Sequence, residues 1–232
     1  MYKILIIFLL FSFNVEAKIF RNSYVSFELK KDWSCKLENT SWVCVNSSKS
    51  KGSNTAIIIL TAKERGPADS LSLYEAHLKK PVTLKMKSKT KISKILNASQ
   101  RKINHHLWID SLHQGSESLN FWTRYLATTH GRIAVLVTFS SHKNFYTKYS
   151  NEFIKSIQSL RLINQKSKNF RPSELRGRNE SLGAPVAGIL SQNINIPDEP
   201  VIQKKKSSKG KILGLLFLLL SGILIWYTKR KF

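Results

Sequence analysis

Hydrophobic and polar residues alternate along the first part of the chain in the period-two pattern of a β-strand. Val25, Phe27 and Leu29 are separated by polar residues, which predicts a strand with one buried face. Residues 54–62 (NTAIIILTA) and 132–140 (RIAVLVTFS) contain continuous apolar runs instead, as strands do when both faces of the sheet are covered. Further strands are predicted at residues 93–103, 107–114 and 121–128, and His130-Gly131 is predicted to turn the last of these into residues 132–140.

Two segments carry apolar residues at helical spacing. In residues 70–80, Leu71, Tyr74 and Leu78 form one stripe, and Pro81 stops the helix. In residues 143–160, five side chains share one face: Tyr146, Tyr149, Phe153, Ile157 and Leu160. The order of these elements predicts an α+β sandwich, an antiparallel sheet with an N-terminal hairpin and two packing helices.

The only two cysteines, Cys35 and Cys44, lie on either side of a predicted hairpin turn. A two-residue turn at Asn39-Thr40 places them opposite each other with Cα atoms about 4.5 Å apart, within disulfide reach. A redox pair would have two intervening residues, and a metal site would need further cysteines or histidines nearby. The sequence therefore predicts a disulfide, with two unpaired buried cysteines as the alternative. A disulfide needs an oxidising compartment, which predicts export.

The N-terminal residues are organised as a signal peptide. Lys3 precedes an apolar run at residues 4–13, and Val15-Glu16-Ala17 places small or apolar residues where a signal peptidase reads them. We expect a signal peptide at residues 1–17 and a mature chain from Lys18. An uncleaved anchor is the alternative, although the run is shorter than the roughly 20 residues that span a bilayer.

A second apolar stretch, residues 212–227, lies near the C-terminus between Lys211 and Lys229. As a helix it would be about 24 Å long, and the flanking lysines can extend to the membrane interface. We expect a transmembrane helix at residues 211–228 and a cytoplasmic tail at 229–232. The lysines on the outer side oppose the positive-inside rule, so this orientation depends on the signal peptide.

The composition between the two ends changes once, near Asn164. Residues 18–165 mix aromatic, β-branched and charged residues as a globular domain does. Residues 166–210 are rich in Ser, Asn, Lys and Pro without periodicity, which predicts a disordered linker.

The arrangement of elements resembles that of PsbP-like domains, the fold of the extrinsic photosystem II protein and of various exported bacterial proteins. The resemblance covers roughly residues 20–163 and includes the opening strand SYVSFELKKDWSC, the helix in mid-chain, the strand meander and the closing FIKSIQSL helix. Lys30-Lys31 departs from the pattern, because such domains often place a proline before the tryptophan. The resemblance implies a binding or assembly-assisting module and supplies no catalytic residues.

The densest cluster of titratable residues is NHHLWIDSLHQG, residues 104–115. On a strand His106 and Asp110 share a face but lie about 13 Å apart, and His105 and His113 are farther apart still, so no metal site is expected. His106 and Trp108 share a face and are candidates to line a pocket, together with Arg124 as an anion ligand. Trp108 as a core residue and Arg124 as the partner of a carboxylate are the alternatives. No nucleotide, hydrolase or metalloprotease motif occurs, so neither a cofactor nor an enzyme is predicted.

The chain is strongly basic, with a formal net charge of +24. We expect an anionic surface to contact the lysines of residues 84–94 and those beside the transmembrane segment: Lys85, Lys87, Lys89, Lys91, Lys94, Lys204, Lys205, Lys206, Lys209 and Lys211. A solvated basic loop is the alternative for the first group. Nucleic acid is not an expected partner, because no recognition module is present and export is predicted.

Together these features predict a membrane-anchored extracytoplasmic binding or assembly module with a protein partner. One alternative is a protein that binds polyanions or anionic lipid through its lysines. A second is a small hydrolase that uses the His105/His106 region.

Overall fold

The computed structural model describes residues 17–47, 55–85, 90–164 and 173–183. Within these ranges the chain forms thirteen strands and two α-helices. The predicted signal peptide before Ala17, the predicted transmembrane helix and the predicted tail lie outside the described residues. Among the residues that are described, no helix is long and apolar enough to cross a bilayer.

The strands in chain order are β1 (Ala17–Arg21), β2 (Val25–Lys30), β3 (Trp33–Glu38), β4 (Ser41–Asn46), β5 (Ala56–Glu64), β6 (Thr83–Lys85), β7 (Thr90–Ile92), β8 (Lys94–Ile103), β9 (His106–Gln114), β10 (Phe121–His130), β11 (Ile133–His142), β12 (Arg161–Leu162) and β13 (Leu175–Arg176). The helices are α1 (Leu71–Leu78) and α2 (Tyr146–Ser159), and a 3₁₀ turn at Lys143–Phe145 leads into α2.

Most strands belong to one sheet, in the order β3-β4-β5-β11-β10-β9-β8, in which neighbours are antiparallel. Strands β1, β2 and β12 form a separate three-stranded sheet, and β6 pairs with β7. The described residues therefore confirm the predicted α+β fold of an antiparallel sheet, an N-terminal hairpin and two helices.

Helix α2 and strand β2 cover one face of the main sheet. Phe153 of α2 contacts Trp33 and Phe139, with ring centroids 6.0 and 5.3 Å apart. The Trp33 indole donates to Glu152 Oε2 at 2.8 Å, which satisfies its buried N–H. Four members of the apolar stripe predicted for this helix belong to the larger core: Tyr149, Phe153, Ile157 and Leu160. The fifth, Tyr146, packs against Trp122 instead.

Helix α1 packs on the other face, over β9 and β10. It begins after Ser70, whose hydroxyl accepts a hydrogen bond from Leu73 N at 3.3 Å, and Leu78 packs against Ile109 and Ala127. Eight helical residues are only about 12 Å long, so α1 covers part of this face and leaves space beside it.

The predicted cysteine hairpin is present as β3 and β4. Asn39 and Thr40 form the turn, Asn39 has a φ of 53°, and Cys35 lies directly opposite Cys44. The two cysteines form a disulfide with Cα atoms 4.0 Å apart, which confirms the prediction. Because such a bond persists in an oxidising compartment, it indicates an exported domain.

The turn between β10 and β11 lies one residue later than predicted. His130 pairs with Ile133, so Gly131 and Arg132 form the turn. Gly131 has a φ of 57°, in the left-handed region that glycine adopts without strain.

A segment beyond the predicted domain joins the fold. Residues 173–183 fall in the predicted disordered linker, 166–210, and for them the prediction is wrong. Strand β13 pairs in parallel with the end of β5. Glu174 is buried and accepts hydrogen bonds from Ser23 N at 2.9 Å and from Trp42 Nε1. The remainder of the predicted linker lies outside the described residues.

A buried ion pair connects this segment to β5 and to the start of α1. Lys63 Nζ lies 3.0 Å from Asp69 Oδ2 and donates to the carbonyl oxygens of Arg178 and Glu180 at 3.0 and 2.9 Å. Burial by itself would raise the pKa of Asp69, but hydrogen bonds from a backbone N–H, Tyr74 and Lys63 outweigh burial and lower it. All three ammonium donors of the lysine therefore have acceptors.

Candidate ligand-binding cavity

A cavity of about 450 Å³ lies between α1 and the main sheet and opens to solvent. We call it the α1 cavity. Apolar side chains form most of its surface, and its volume is in the usual range for small-ligand sites. It is lined by Ala68, Asp69, Leu73, Tyr74, His77, Leu78, Lys80, Val82, His113, Glu117, Tyr125, Ala127, Leu136, Ser181, Leu182 and Gly183.

The cavity exists because α1 is short and one neighbouring sheet residue is small. Pro81 lacks a backbone N–H, so the helix cannot continue over the sheet, and Ala127 leaves room beneath it. The segment after β13 closes one side. Arg176 Nη1 holds this segment by donating to Ser181 O at 2.8 Å and to Gly183 O at 3.3 Å.

His113 is a buried polar group in the lining. Its Nε2–H donates to Leu78 O at 2.9 Å and lies 2.8 Å from Ser111 Oγ. Burial lowers the pKa of His113 more than its hydrogen bond to Leu78 raises it, so the ring is neutral at pH 7. The Nδ1 lone pair has no hydrogen-bond partner among the described residues.

Glu117 and Tyr125 form a second polar pair in the lining. The Tyr125 hydroxyl donates to the Glu117 carboxyl and lies 2.8 Å from Ser116 Oγ. Burial raises the pKa of Glu117, and the hydrogen bond from Tyr125 offsets this only in part. The carboxyl group is therefore protonated to a higher pH than an exposed glutamate.

The polar groups at the cavity already form hydrogen bonds or ion pairs within the protein, and these contacts do not suit catalysis. Ser111 is fully buried, and its hydroxyl lies within donating distance of the carbonyl oxygens of Leu78 and Asn97, at 3.2 and 3.0 Å. Because His113 Nε2 already donates to Leu78 O, it cannot take a proton from Ser111. Asp69 is occupied by its ion pair. Apolar walls with a few fixed polar groups are the chemistry of a binding site.

His106 and Trp108 both line a second cavity. Trp108 is also a buried member of the larger core, which was the alternative for this residue. Arg124 does not line that cavity, and its assignment there is wrong. Its guanidinium forms a two-point ion pair with Asp110, with distances of 2.7 and 2.6 Å, and Arg101 adds a third contact at 3.0 Å. The buried carboxylate of Asp110 needs these partners, so Arg124 is not available to a ligand.

Among the described residues, no free nucleophile lies beside His106 for the hydrolase alternative. The hydroxyl that contacts this ring, that of Thr128, lies 2.8 Å from His106 Nε2 but is fully buried and donates to Leu107 O at 2.7 Å. Within the described ranges no group of three or more His, Cys, Asp or Glu side chains is placed to hold a metal ion.

The predicted basic surface falls only partly within the described residues. Lys85 ends β6, Lys91 lies in β7 and Lys94 begins β8. Lys91 and Lys94 are exposed, and neither forms an ion pair with another described residue. The other predicted contact residues lie outside the described ranges: Lys87, Lys89, Lys204, Lys205, Lys206, Lys209 and Lys211.

The residues that give the α1 cavity its polar character are not visible as a site in the sequence. The sequence pattern presents His113 only as a candidate metal ligand and does not single out Glu117 or Tyr125. One usable signal is the alternation of β9, which places His113 on the face opposite Trp108. The cavity itself depends on how α1 packs, which the alternation does not specify.

No protein-family model and no curated protein sequence matches the chain. Several solved structures are similar in fold, and three of them are compared with the chain in turn. The PsbP of Synechocystis (CyanoP) is 8% identical with a TM-score of 0.44, and the match covers 66% of this chain and 96% of that one. LpqN of Mycobacterium tuberculosis, involved in cell envelope biogenesis, is 7% identical with a TM-score of 0.43, over 65% and 92% of the two chains. The Ran-binding protein Mog1p of Saccharomyces cerevisiae is 10% identical with a TM-score of 0.42, over 64% and 96%.

At these identities the likeness concerns the fold and carries no activity with it. The chain resembles PsbP-like domains, as its sequence predicted.

Proposed function

We propose that the chain is a membrane-anchored extracytoplasmic binding module without catalytic activity, and that the α1 cavity holds its ligand. The cavity is the observation that supports this best, because its volume, apolar walls and few fixed polar groups are those of a ligand site. The disulfide supports the extracytoplasmic location. The proposed anchor is the apolar stretch at residues 212–227.

The lining fits a compact, mostly apolar molecule that carries one hydrogen-bonding group. Leu73, Val82 and Leu136 offer apolar contact, and each buried Å² of apolar surface contributes about 25 cal/mol. Neutral His113 offers an acceptor, and the carboxyl of Glu117 is held by Tyr125. A hydroxyl or amide on the ligand matches these groups better than a carboxylate, which Glu117 would repel once ionised.

Such a module acts as an adaptor. The domain holds an envelope molecule, and the predicted linker and anchor keep the domain near the membrane, where it contacts a partner protein. The ligand's chemistry, and not the charge of the domain, then determines what is bound.

Photo-crosslinking from the rim of the cavity tests this proposal. Benzoylphenylalanine replaces Leu73, which lines the cavity and is 50% exposed, in the full-length chain in cells. After irradiation, mass spectrometry of the purified protein is expected to find a small-molecule adduct at position 73. The same replacement at exposed Ile154 on α2 is expected to give no such adduct.

Two tryptophan substitutions supply a matched control. Ala68→Trp places an indole in the cavity from an exposed position, whereas Ala76→Trp adds the same bulk to the exposed side of α1. Ala68→Trp should abolish the adduct and Ala76→Trp should preserve it. An adduct that survives Ala68→Trp, or a crosslink to a protein alone, would contradict the small-ligand proposal.

A second candidate function is contact with an anionic polymer or lipid through the lysines of β6, β7 and the start of β8. Exposed Lys91 and Lys94, which lack ion-pair partners among the described residues, favour it. This function predicts binding that weakens steeply as salt rises and that persists in Ala68→Trp.

A further inference from the structure

A second cavity, of about 500 Å³, lies on the face of the main sheet opposite to the α1 cavity. Side chains of a strand point to alternate faces of the sheet. In β9, His106 and Trp108 are two residues apart and share one face, whereas His113 of the α1 cavity is five residues beyond Trp108 and lies on the other. The two cavities are therefore on different sides of the same strand. We call this space the histidine cavity. Its side walls are the turn between β8 and β9, His130 of β10, and the chain from the end of α2 into β12.

Local geometry holds the turn of the histidine cavity in place. Asn104 and His105 both have positive φ, of 45° and 65°, and form the two-residue turn. The Asn104 amide donates to Gln158 O at 2.8 Å and to Leu160 O at 2.9 Å, at the C-terminal end of α2. The turn is therefore bound to the helix and its position does not depend on a ligand.

Trp108 lacks a partner that a buried indole normally has. The side chain is 1% exposed and lines the cavity, and its Nε1–H has no acceptor among the described residues. The Trp33 indole, equally buried, donates to Glu152. A buried donor without an acceptor is unfavourable and rare in folded proteins, so the Trp108 N–H points to a missing acceptor.

The two histidines of the strands have hydrogen-bond partners within the protein. The Thr128 hydroxyl donates to Leu107 O, so it must accept from His106 Nε2–H, at 2.8 Å. His130 Nε2 lies 2.8 Å from Asn164 Oδ1. The two rings are in edge contact, with centroids 5.4 Å apart. Burial, followed by the charge of His130, lowers the pKa of His106.

The charge balance of the cavity is one-sided. The charged and titratable groups in its described lining are His105, His106, His130 and Arg161, and no carboxylate is among them. The donors are therefore Trp108 of β9 and Arg161 of β12, and protonated His106 adds a further N–H. A tetrahedral oxyanion, with acceptor oxygens in several directions, suits such a set better than a planar carboxylate does.

We propose that the histidine cavity binds a phosphate group, with Trp108 and Arg161 as donors and His106 as the group that strengthens binding when protonated. This site is separate from the α1 cavity and does not depend on the function proposed for it. The phosphate belongs either to a soluble phosphorylated molecule or to a lipid headgroup, and the experiment below distinguishes the two.

The test follows the tryptophan indole N–H resonances of the full-length chain by NMR, in a non-ionic detergent, as inorganic phosphate is added. A saturable shift is expected for Trp108 and no shift for Trp33, whose N–H is already bonded. A second titration in nanodiscs compares phosphatidic acid with phosphatidylcholine. A shift with phosphatidic acid identifies a lipid headgroup, and a shift with inorganic phosphate alone identifies a soluble ligand.

Arg161 and Arg21 provide a matched pair of variants. Both are exposed and both pair with Ser26, from opposite sides of β2, but only Arg161 lines the cavity. Arg161→Gln is expected to weaken phosphate binding by about tenfold or more, the loss expected for one charged hydrogen bond, and Arg21→Gln should leave it unchanged. Well-dispersed amide spectra of both variants verify that they are folded. Ala68→Trp should not alter this titration.

The pH dependence gives a readout that a purely structural role of these residues would not produce. Sulfate keeps its charge between pH 5.5 and 7.5, so its affinity reports on the protonation of His106. We expect sulfate to bind several-fold more tightly at the lower pH and His106→Gln, which keeps an N–H for Thr128, to reduce that difference. The proposal is overturned if Trp108 shows no saturable shift with phosphate or sulfate, if Trp33 shifts equally, or if Arg161→Gln binds as wild type does.

Discussion

Single buried polar side chains hold together parts of the chain that are distant in sequence. Lys63 joins β5 to Asp69 before α1 and to two carbonyl groups of the C-terminal segment. Glu174 connects that segment to Ser23 and Trp42. Removal of one partner from a buried ion pair typically costs about 3–5 kcal/mol, because the other charge stays buried. These few residues therefore contribute strongly to the tertiary arrangement of the domain.

Glu117 leads to a prediction on pH and stability. Burial raises its pKa in the folded state, so the free energy of unfolding should fall as pH rises from the unfolded value of about 4.3 through the folded value. Glu117→Gln cannot ionise, and wild type should lose stability relative to this variant as pH rises above the unfolded pKa. Urea unfolding at several pH values measures the difference.

Glu75 serves as the control for Glu117. Hydrogen bonds from Gln100 and Lys79 lower the pKa of Glu75. The contribution of Glu75 to the free energy of unfolding is therefore present above its unfolded pKa and is lost as pH falls. The comparison of wild type with Glu75→Gln should show a trend opposite to that for Glu117. Parallel pH profiles for wild type and Glu117→Gln would contradict the burial of an ionisable carboxyl at this position.

The two edge strands of the main sheet are protected by different means. Strand β8 carries Lys94 and Lys102 and has an irregular register between Ile95 and Asn97, all of which hinder pairing with another chain. Strand β3, at the other edge, is linked covalently to β4 by the disulfide. The hairpin of β3 and β4 therefore depends on a cross-link as well as on its core contacts.

Loss of the disulfide should destabilise the domain by a predictable amount. The two cysteines are nine residues apart, and closing so short a loop stabilises by about 2–3 kcal/mol in the chain-entropy model. Cys35→Ala combined with Cys44→Ala should lower the free energy of unfolding by about that amount, measured by guanidinium denaturation.

Dithiothreitol separates the cross-link from the packing of its atoms. Reduction should destabilise the wild-type protein without removing any side-chain atoms, and it should leave the double variant unaffected. If reduction changes nothing in the wild type, the disulfide does not contribute to stability.

At the scale of the whole molecule, the main sheet separates two potential sites. The α1 cavity lies on one face and is mostly apolar, and the histidine cavity lies on the other and contains only neutral or basic groups among its described polar lining. The C-terminal segment, residues 173–183, completes the first site because Ser181, Leu182 and Gly183 form part of its wall.

Two truncated chains test the contribution of this segment. Chains that end at Gly183 and at Gln165 both lack the predicted anchor, but only the second lacks residues 173–183. The shorter chain should be less stable by about 3 kcal/mol or more, since Lys63 loses two acceptors and Trp42 loses its buried partner. Chemical denaturation of both chains measures this, and equal midpoints would show that the segment does not contribute.

The sequence by itself determined the strands of the main sheet, the two helices and the covalent link. Alternation of Val25, Phe27 and Leu29, and the apolar runs of β5 and β11, specify strands because side chains of a strand point to alternate faces. The hairpin register follows from its two-residue turn, which brings Cys35 opposite Cys44. These features depend on residues close together along the chain.

Only the tertiary structure decided the partners and the cavities. Arg124 pairs with Asp110, and residues 173–183 join the sheet through isolated buried groups in a polar segment without periodicity. The α1 cavity depends on where a short helix ends above the sheet, and the histidine cavity on a turn bound to the end of α2. Each is a contact between residues far apart in sequence, which local hydrophobic patterns do not encode.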